Sequence, residues 1–315
     1  MSNSRVVNEF SITKAVLCST ALLALTGAAV AIASPQGTSS QNDAVDYSNL
    51  PDTLSLDAVI RDFRAKNDEG GHPDFQAYTG STTVGLVEMQ LGPDRVPVVN
   101  DLRGWKITSE YKDSAGRKIM PASYSSELGD QEGAVTPGGT GNGLTSIEAF
   151  DQWYKDVPGV NASVVVPLTL TKIEGTNRYV FDSATDEPYD SIGGFFPING
   201  DLYGNYGSTG KNFHFTTEVR TQFIFKRGTG QVFKFTGDDD VWVFVGDQLV
   251  IDIGGLHSKK EQNVSLDRFD WLEDGQKYSL DIFHAERRTT QSNFRIETTI
   301  ELRSVELPPT AALYD

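Results

Sequence analysis

The stretch GDDDVWVFVGDQLVID, Gly237–Asp252, places three consecutive aspartates directly before an apolar run. In that run valines alternate with Trp242 and Phe244, so both faces of the predicted strand are apolar. A strand of this kind is expected in the centre of a sheet, buried on both sides. Gly246-Asp247 then predicts a tight turn into a second strand, QLVIDI. Burial does not explain the aspartates, because crowded like charges repel each other.

Alternation of apolar and polar residues recurs along most of the chain and predicts further strands. Examples are TLSLDAVI from Thr53, ASVVVPLTLTKI from Ala162, QKYSLDIFHAE from Gln276 and NFRIETTIEL from Asn293. FHFTTEVRTQFIF and QVFKF, joined by KRGTG, are expected to form a hairpin. Many short strands separated by turn residues predict a mostly β protein, a β-sandwich or open barrel.

One helix is predicted in the N-terminal half. Thr145 and Glu148 have the spacing of a capping box, and Pro158 is expected to end the helix. The fold class is therefore a β-sandwich or open barrel with an N-terminal strand-and-helix extension. Residues 109–144 are predicted to form a long loop, with a functional or mobile role.

The N-terminus has the features of a secretory signal. Arg5 and Lys14 precede the apolar run AVLCSTALLALTGAAVAIA, which ends in an A-x-A cleavage pattern before Ser34. We predict a signal peptide over residues 1–33, with an uncleaved anchor as the alternative, and a flexible linker over residues 34–50. The protein is therefore expected to be secreted, to an extracellular, periplasmic or cell-surface location, without membrane insertion after cleavage. The single cysteine, Cys18, leaves with the signal, so no disulfide is expected.

Charge and motifs exclude several functional classes. The net charge of -16 argues against nucleic-acid binding and against docking on anionic lipid. The sequence has no G-x-S-x-G, H-E-x-x-H, phosphate-loop or dinucleotide motif. With 43 acidic residues, a pair of carboxylates is not by itself a sign of a glycosidase. We expect no catalytic residues and no enzyme activity.

The aspartates Asp238, Asp239 and Asp240 allow two interpretations. Clustered carboxylates at a loop edge are ligands that suit Ca²⁺, which takes oxygen donors only. In the alternative, one aspartate caps a turn, one faces water and one pairs with Arg287 or Arg288. His257, after a glycine pair, and Glu286, at the end of a strand, are candidate ligand-binding residues. A surface loop and a solvated hairpin tip are the respective alternatives.

The order of motifs resembles the fibro-slime domain family of secreted and extracellular-matrix proteins. The matching motifs are, in order, IRDF, HPDF, FDQWYKDVPGVN, LTLT, FFPI, NFHFTTE, GDDDVWVFVGDQLVIDIGGLH and AERRTTQSNFRI. The resemblance implies an N-terminal part of the domain over residues 51–194, a protective-antigen-type β-barrel over 195–303, and a C-terminal tail over 304–315.

In adhesins with this type of barrel, an Asp-Asp pair joined by a cis peptide holds Ca²⁺. The resemblance therefore implies Asp238 and Asp239 as metal ligands, with Ca²⁺ as the cofactor. Asp240 stands where these proteins have glycine, and it either adds a ligand or crowds the site.

The function that the resemblance implies is a secreted, non-catalytic module for glycan binding or cell adhesion. Its expected partner is an extracellular or cell-surface polysaccharide. Two alternatives remain open: a structural, self-associating matrix or slime protein without a sugar site, and an accessory domain of an enzyme.

Overall fold

A computed structural model describes residues 47–76, 80–139 and 143–305. The predicted signal peptide, residues 34–46 of the predicted linker and residues 306–315 of the tail lie outside this part of the chain. No helix among the described residues has the length and apolar character needed to span a bilayer. The strands and helices, in chain order, are β1 Thr53–Phe63, β2 Thr83–Val84, β3 Trp105–Ser109, β4 Ala134–Pro137, α1 Ile147–Phe150, β5 Asn161–Lys172, β6 Tyr179–Asp182, α2 Tyr189–Ile192, β7 Phe215–Ile224, β8 Val232–Gly237, β9 Asp240–Val245, β10 Gln248–Ile253, β11 Lys260–Ser265, β12 Lys277–Glu286, β13 Phe294–Thr298 and β14 Arg303–Ser304.

One large antiparallel sheet forms a nearly closed barrel, which confirms the predicted fold class. Its strand order is β10-β9-β12-β7-β1-β5-β6-β13-β8-β11, with β14 beside β7. Strands β1, β5 and β6, from the predicted N-terminal part of the domain (residues 51–194), lie between β7 and β13, so this part and the predicted barrel part build the same sheet. A smaller sheet has the order β2-β3-β4.

Strand β9 lies between β10 and β12, second from one end of the sheet order, and it is buried on both faces, as predicted from its sequence. Val241, Val243 and Val245 face a core inside the barrel. Trp242 and Phe244 face a second core on the outside of the sheet, which the chain segments around Phe75, Leu86 and Phe150 cover. The apolar character of both faces therefore follows from the two hydrophobic cores that this strand separates.

The connection between β9 and β10 is the predicted tight turn. Gly246 and Asp247 both have positive φ angles, 52° and 68°, and this is the backbone of the two-residue turns that fit the twist of a hairpin. The other predicted hairpin is wrong. β7 pairs with β1 and β12, whereas β8 pairs with β11 and β13. The KRGTG turn therefore leads from one part of the barrel to another instead of joining neighbouring strands.

The predicted helix is shorter and starts later than expected. Ser146, not Thr145, is the N-cap, and its Oγ accepts a hydrogen bond from the Ala149 N–H at 3.1 Å. Only Ile147–Phe150 is helical, and turns follow it. Residues 109–139 of the predicted long loop contain β4 and two short 3₁₀ helices, Pro121–Ser123 and Ser126–Leu128.

Candidate functional site

The three aspartates lie where the chain crosses from β8 to β9 at one end of the barrel. Gly237, the last residue of β8, pairs with Phe294 of β13, whereas Asp240 already pairs with Ala285 of β12. The connection from β12 to β13 makes the corresponding crossing in the opposite direction. Two irregular segments, 238–239 and 287–293, therefore run side by side, and their backbone N–H groups need partners that no strand supplies.

Asp238 binds Asn293, the last residue of the second crossing, segment 287–293. Its Oδ1 accepts from the Asn293 backbone N–H at 2.5 Å, and its Oδ2 accepts from the Asn293 side-chain amide at 2.9 Å. His284 Nε2 donates to the Asp238 carbonyl at 2.9 Å. A Cβ on Gly237 would lie 2.5 Å from the Asn293 carbonyl oxygen, so only glycine allows this approach. Burial raises the pKa of Asp238.

Asp239 accepts two backbone hydrogen bonds. The Arg287 N–H donates to Oδ2 at 3.0 Å and the His257 N–H to Oδ1 at 3.3 Å. Burial raises the pKa of Asp239 to about 8, and the neighbouring charge of Asp240 adds to the rise. Ionised Asp239 is therefore disfavoured relative to a solvent-exposed aspartate, and a positive charge in the cleft beside it would favour ionisation.

Asp240 forms a fully buried ion pair with Arg287, as one of the two interpretations of the sequence predicted. Arg287 Nε donates to Oδ2 at 2.5 Å and a terminal NH₂ group donates to Oδ1 at 3.1 Å. Both side chains have 0% exposure. The Gly255 N–H also donates to Oδ1, at 2.6 Å. Asp240 is thus compensated by protein groups, and these bonds account for its carboxylate without a metal ion.

Glu286 lies behind the aspartates and is fully buried. Its Oε1 accepts from the Arg288 N–H at 3.2 Å, and its Oε2 has no hydrogen-bond partner among the described residues. Burial, followed by the charges of Asp239 and Asp238, raises its pKa well above the ordinary range. Because Glu286 does not line the cleft described next, it does not touch that open space directly.

A cleft of about 230 Å³ opens beside Asp238 and Asp239. Its lining comes from four segments of the chain and consists of Gly80, Asp238, Asp239, Leu256, His257, Ser258, Arg288, Thr289, Thr290 and Gln291. Carboxylates, hydroxyls, an amide and a guanidinium thus surround a small space. Such convergent polar groups in a concave site are typical of ligand recognition.

His257 lines the cleft, as expected of a ligand-binding candidate. Its Nε2 lies 3.1 Å from the Ile253 carbonyl and its Nδ1 lies 3.0 Å from the Ser258 carbonyl. Burial lowers the pKa of His257, so the ring is neutral near pH 7. A neutral imidazole donates from one nitrogen only, so the neutral ring forms a hydrogen bond to just one of these two carbonyl oxygens.

The glycine pair before His257 serves the packing of the protein chain. A Cβ on Gly254 would lie 2.7 Å from the Thr83 carbonyl oxygen, and one on Gly255 would lie 2.8 Å from the Ser81 carbonyl oxygen. Gly255 also has a positive φ of 82°. These glycines allow β2 and its flanks to approach the segment that carries His257.

The donor chemistry of the cleft fits Ca²⁺, which prefers carboxylate, hydroxyl and carbonyl oxygens. Among the described residues, however, no three His, Cys, Asp or Glu side chains converge as a metal site by themselves. An ion here would need neutral oxygens beside Asp238 and Asp239. The Asp238–Asp239 bond is trans, unlike the Asp-Asp pair of the adhesins; the cis bond of the described chain is Glu187–Pro188.

Comparison with known protein families identifies part of the chain. Residues 197–306 match the PA14 domain. This is the protective-antigen-type module expected from the resemblance, and the PA14 region contains the aspartates, His257, Glu286 and the β8–β13 strands. The division of the chain at residue 195 and the fibro-slime assignment stay predictions.

Curated relatives extend the similarity beyond the PA14 region. Protein psiQ of Dictyostelium discoideum is 37% identical over 267 residues, which cover 81% of this chain and 22% of psiQ. Protein psiI of the same organism is 33% identical over 258 residues, covering 79% of this chain and 31% of psiI. The chain thus spans less than a third of the length of these relatives.

Solved structures add nothing further about the fold. The β-glucosidase of Kluyveromyces marxianus is 13% identical with a TM-score of 0.20, covering 74% of this chain and 20% of that one. An α-xylosidase of Xanthomonas citri is 10% identical with a TM-score of 0.21, covering 80% of this chain and 25% of that one. Scores this low carry no structural argument.

Sequence reasoning placed Asp238, Asp239 and His257 in one region, and the structure brings them to one cleft. It missed Asn293, whose side-chain amide binds Asp238. It also missed the cleft-lining residues Thr289–Gln291, which read as a solvated hairpin tip. Asn293 lies directly before the predicted strand NFRIETTIEL reaches its first apolar residue, and this position at a strand entrance could have indicated a role in the loop.

Proposed function

We propose that this protein is a secreted, non-catalytic module that binds glycans and uses a Ca²⁺ ion held by Asp238 and Asp239. The observation that carries the proposal is the polar cleft in which these two carboxylates meet hydroxyl and amide side chains. Sugars present hydroxyl groups, which such donors and a bound cation recognise. An extracellular or cell-surface polysaccharide is the proposed partner, and adhesion is the proposed role.

The electrostatics of the pair support a cation. Burial and the charge of Asp240 raise the pKa of Asp239, and burial raises that of Asp238. A divalent ion between them would offset this penalty and stabilise both carboxylates in the ionised state. Asp240 is not proposed as a ligand, because the buried guanidinium of Arg287 already compensates its charge and because it does not line the cleft.

A glycan array probed with the purified protein tests this function. We expect binding in millimolar Ca²⁺, loss of binding in EDTA, and loss in Asp239→Asn. Asp270→Asn is the matched control, because Asp270 is exposed and does not line the cleft. Binding that persists in EDTA would contradict the calcium dependence, and an array without any signal would contradict glycan recognition.

A further inference from the structure

Two adjacent arginines at the end of β12 have opposite environments. Arg287 is fully buried and pairs with Asp240. Arg288 lines the cleft and is partly exposed. Within the described part of the chain, its guanidinium makes no ion pair and no hydrogen bond, and only its backbone N–H is engaged, by Glu286. The cleft therefore contains a cationic group that the described residues leave unpaired.

The charges that line the cleft change sign when a cation binds. Asp238 and Asp239 carry two negative charges when ionised, and Arg288 carries one positive charge. A divalent cation converts this net single negative charge into a net single positive charge. The loaded cleft then favours an anionic ligand over a neutral one, because its electrostatic potential is positive.

A guanidinium recognises one type of anion with particular geometry. Its planar set of N–H donors matches the two oxygens of a carboxylate in a bidentate arrangement. The hydroxyls of Ser258 and Thr289 line the same space and can bind the hydroxyls of a sugar. At about 230 Å³ the cleft is smaller than common pockets for drug-sized ligands, which suits a single sugar residue.

We propose that the sugar recognised in this cleft bears a carboxylate, as a uronic acid does, and that Arg288 binds that carboxylate. This inference rests on the proposed glycan-binding function and specifies its ligand class. The cation and the hydroxyl side chains bind the ring hydroxyls, while the Arg288 guanidinium distinguishes acidic from neutral sugars.

The test compares two probes that differ in one group, methyl β-glucuronide and methyl β-glucoside, titrated into the full chain in saturating Ca²⁺. We expect the glucuronide to bind about ten- to a hundred-fold more tightly, the range of one charged hydrogen-bonded contact. Arg288→Gln should abolish this preference and leave glucoside binding unchanged. Arg288→Lys should retain part of the preference, because lysine keeps the positive charge but lacks the planar N–H donors that bind both carboxylate oxygens. Arg103→Gln, an exposed arginine that does not line the cleft, is the control.

Calcium affinity, measured on the same variants, separates this inference from the proposed function. Arg288→Gln should bind Ca²⁺ at least as tightly as the wild type, since a guanidinium cannot ligate a cation and its removal takes a positive charge out of the cleft. Equal affinity for both sugars, or a preference that survives Arg288→Gln, would overturn the inference while calcium binding stands. If no Ca²⁺ binds, the proposed function fails, and the role of Arg288 is tested by glucuronide titration in EDTA. Glucuronide binding by the wild type that is lost in Arg288→Gln would support this role. Absence of glucuronide binding by the wild type would refute it.

Discussion

The ion pair between Arg287 and Asp240 predicts a large and specific effect on stability. In Arg287→Met, the Asp240 carboxylate stays buried at 0% exposure and loses both hydrogen bonds from the guanidinium. Breaking one side of a buried pair costs about 3–5 kcal/mol, because the remaining charge has no compensation. The guanidinium also lies over the Trp153 ring, with its Cζ 5.0 Å from the ring centroid, and methionine keeps an apolar side chain of similar length at this position. The measured loss should therefore come mainly from charge.

A double variant separates charge from packing. Asp240→Asn keeps the Oδ1 atom that accepts from Gly255 and removes the charge. We expect Asp240→Asn/Arg287→Met to recover at least half of the free energy of unfolding lost in Arg287→Met. Arg303→Met is the control: its pair with Glu301 is exposed, with 67% exposure for the arginine, and should contribute less than about 1 kcal/mol. Urea unfolding provides the measurement. A loss below about 1 kcal/mol in Arg287→Met, or no recovery in the double variant, would refute the reasoning.

Two further predictions concern packing and pH. Gly254→Ala should cost about 1–3 kcal/mol of unfolding free energy, because its Cβ would lie 2.7 Å from the Thr83 carbonyl oxygen. Gly139→Ala, with nothing within 4 Å of the added Cβ, should be near neutral in the same denaturation assay, and equal effects would contradict the account. Burial raises the pKa of Asp62 to about 7. The folded state then holds a proton that the unfolded state releases near pH 4, so the contribution of Asp62 to stability should fall as pH rises from about 4 to 7 and level off above. Asp62→Asn should reduce the slope of stability against pH in this range by roughly 1.4 kcal/mol per pH unit, whereas the exposed Asp190→Asn should not. An unchanged slope in Asp62→Asn would show that burial does not raise this pKa.

The alternation of apolar residues predicted individual strands well, because each strand carries its own burial pattern. Strand β9 is the clearest case, since its two apolar faces in the sequence correspond to the two hydrophobic cores that it separates. Strand partners were harder to predict. The hairpin expected around KRGTG does not form, because β7 and β8 find their partners in strands distant along the chain. Turn residues indicate where a strand ends, but they do not determine which strand the following one pairs with.

For the candidate site, too, local features were predictable from the sequence and tertiary contacts were not. The crowding of three aspartates signalled an unusual environment, and one of the two interpretations already paired an aspartate with Arg287 or Arg288. The distinct roles of Asp239 and Asp240 depend on Arg287, which donates its backbone N–H to Asp239 and its guanidinium to Asp240. That geometry is set by tertiary contacts between segments some fifty residues apart, which a single sequence does not encode locally. Burial of Glu286 with an unpartnered Oε2 is likewise a property of the packed structure.

Calcium titration by calorimetry tests the central claim most directly. The wild-type protein should release or absorb heat with a dissociation constant on the order of 10⁻⁴–10⁻³ M, the range of extracellular calcium modules. Asp238→Asn and Asp239→Asn should each abolish the signal, and Asp270→Asn should retain it. Absence of heat in the wild type, or heat that survives both cleft substitutions, would contradict a calcium site at Asp238 and Asp239.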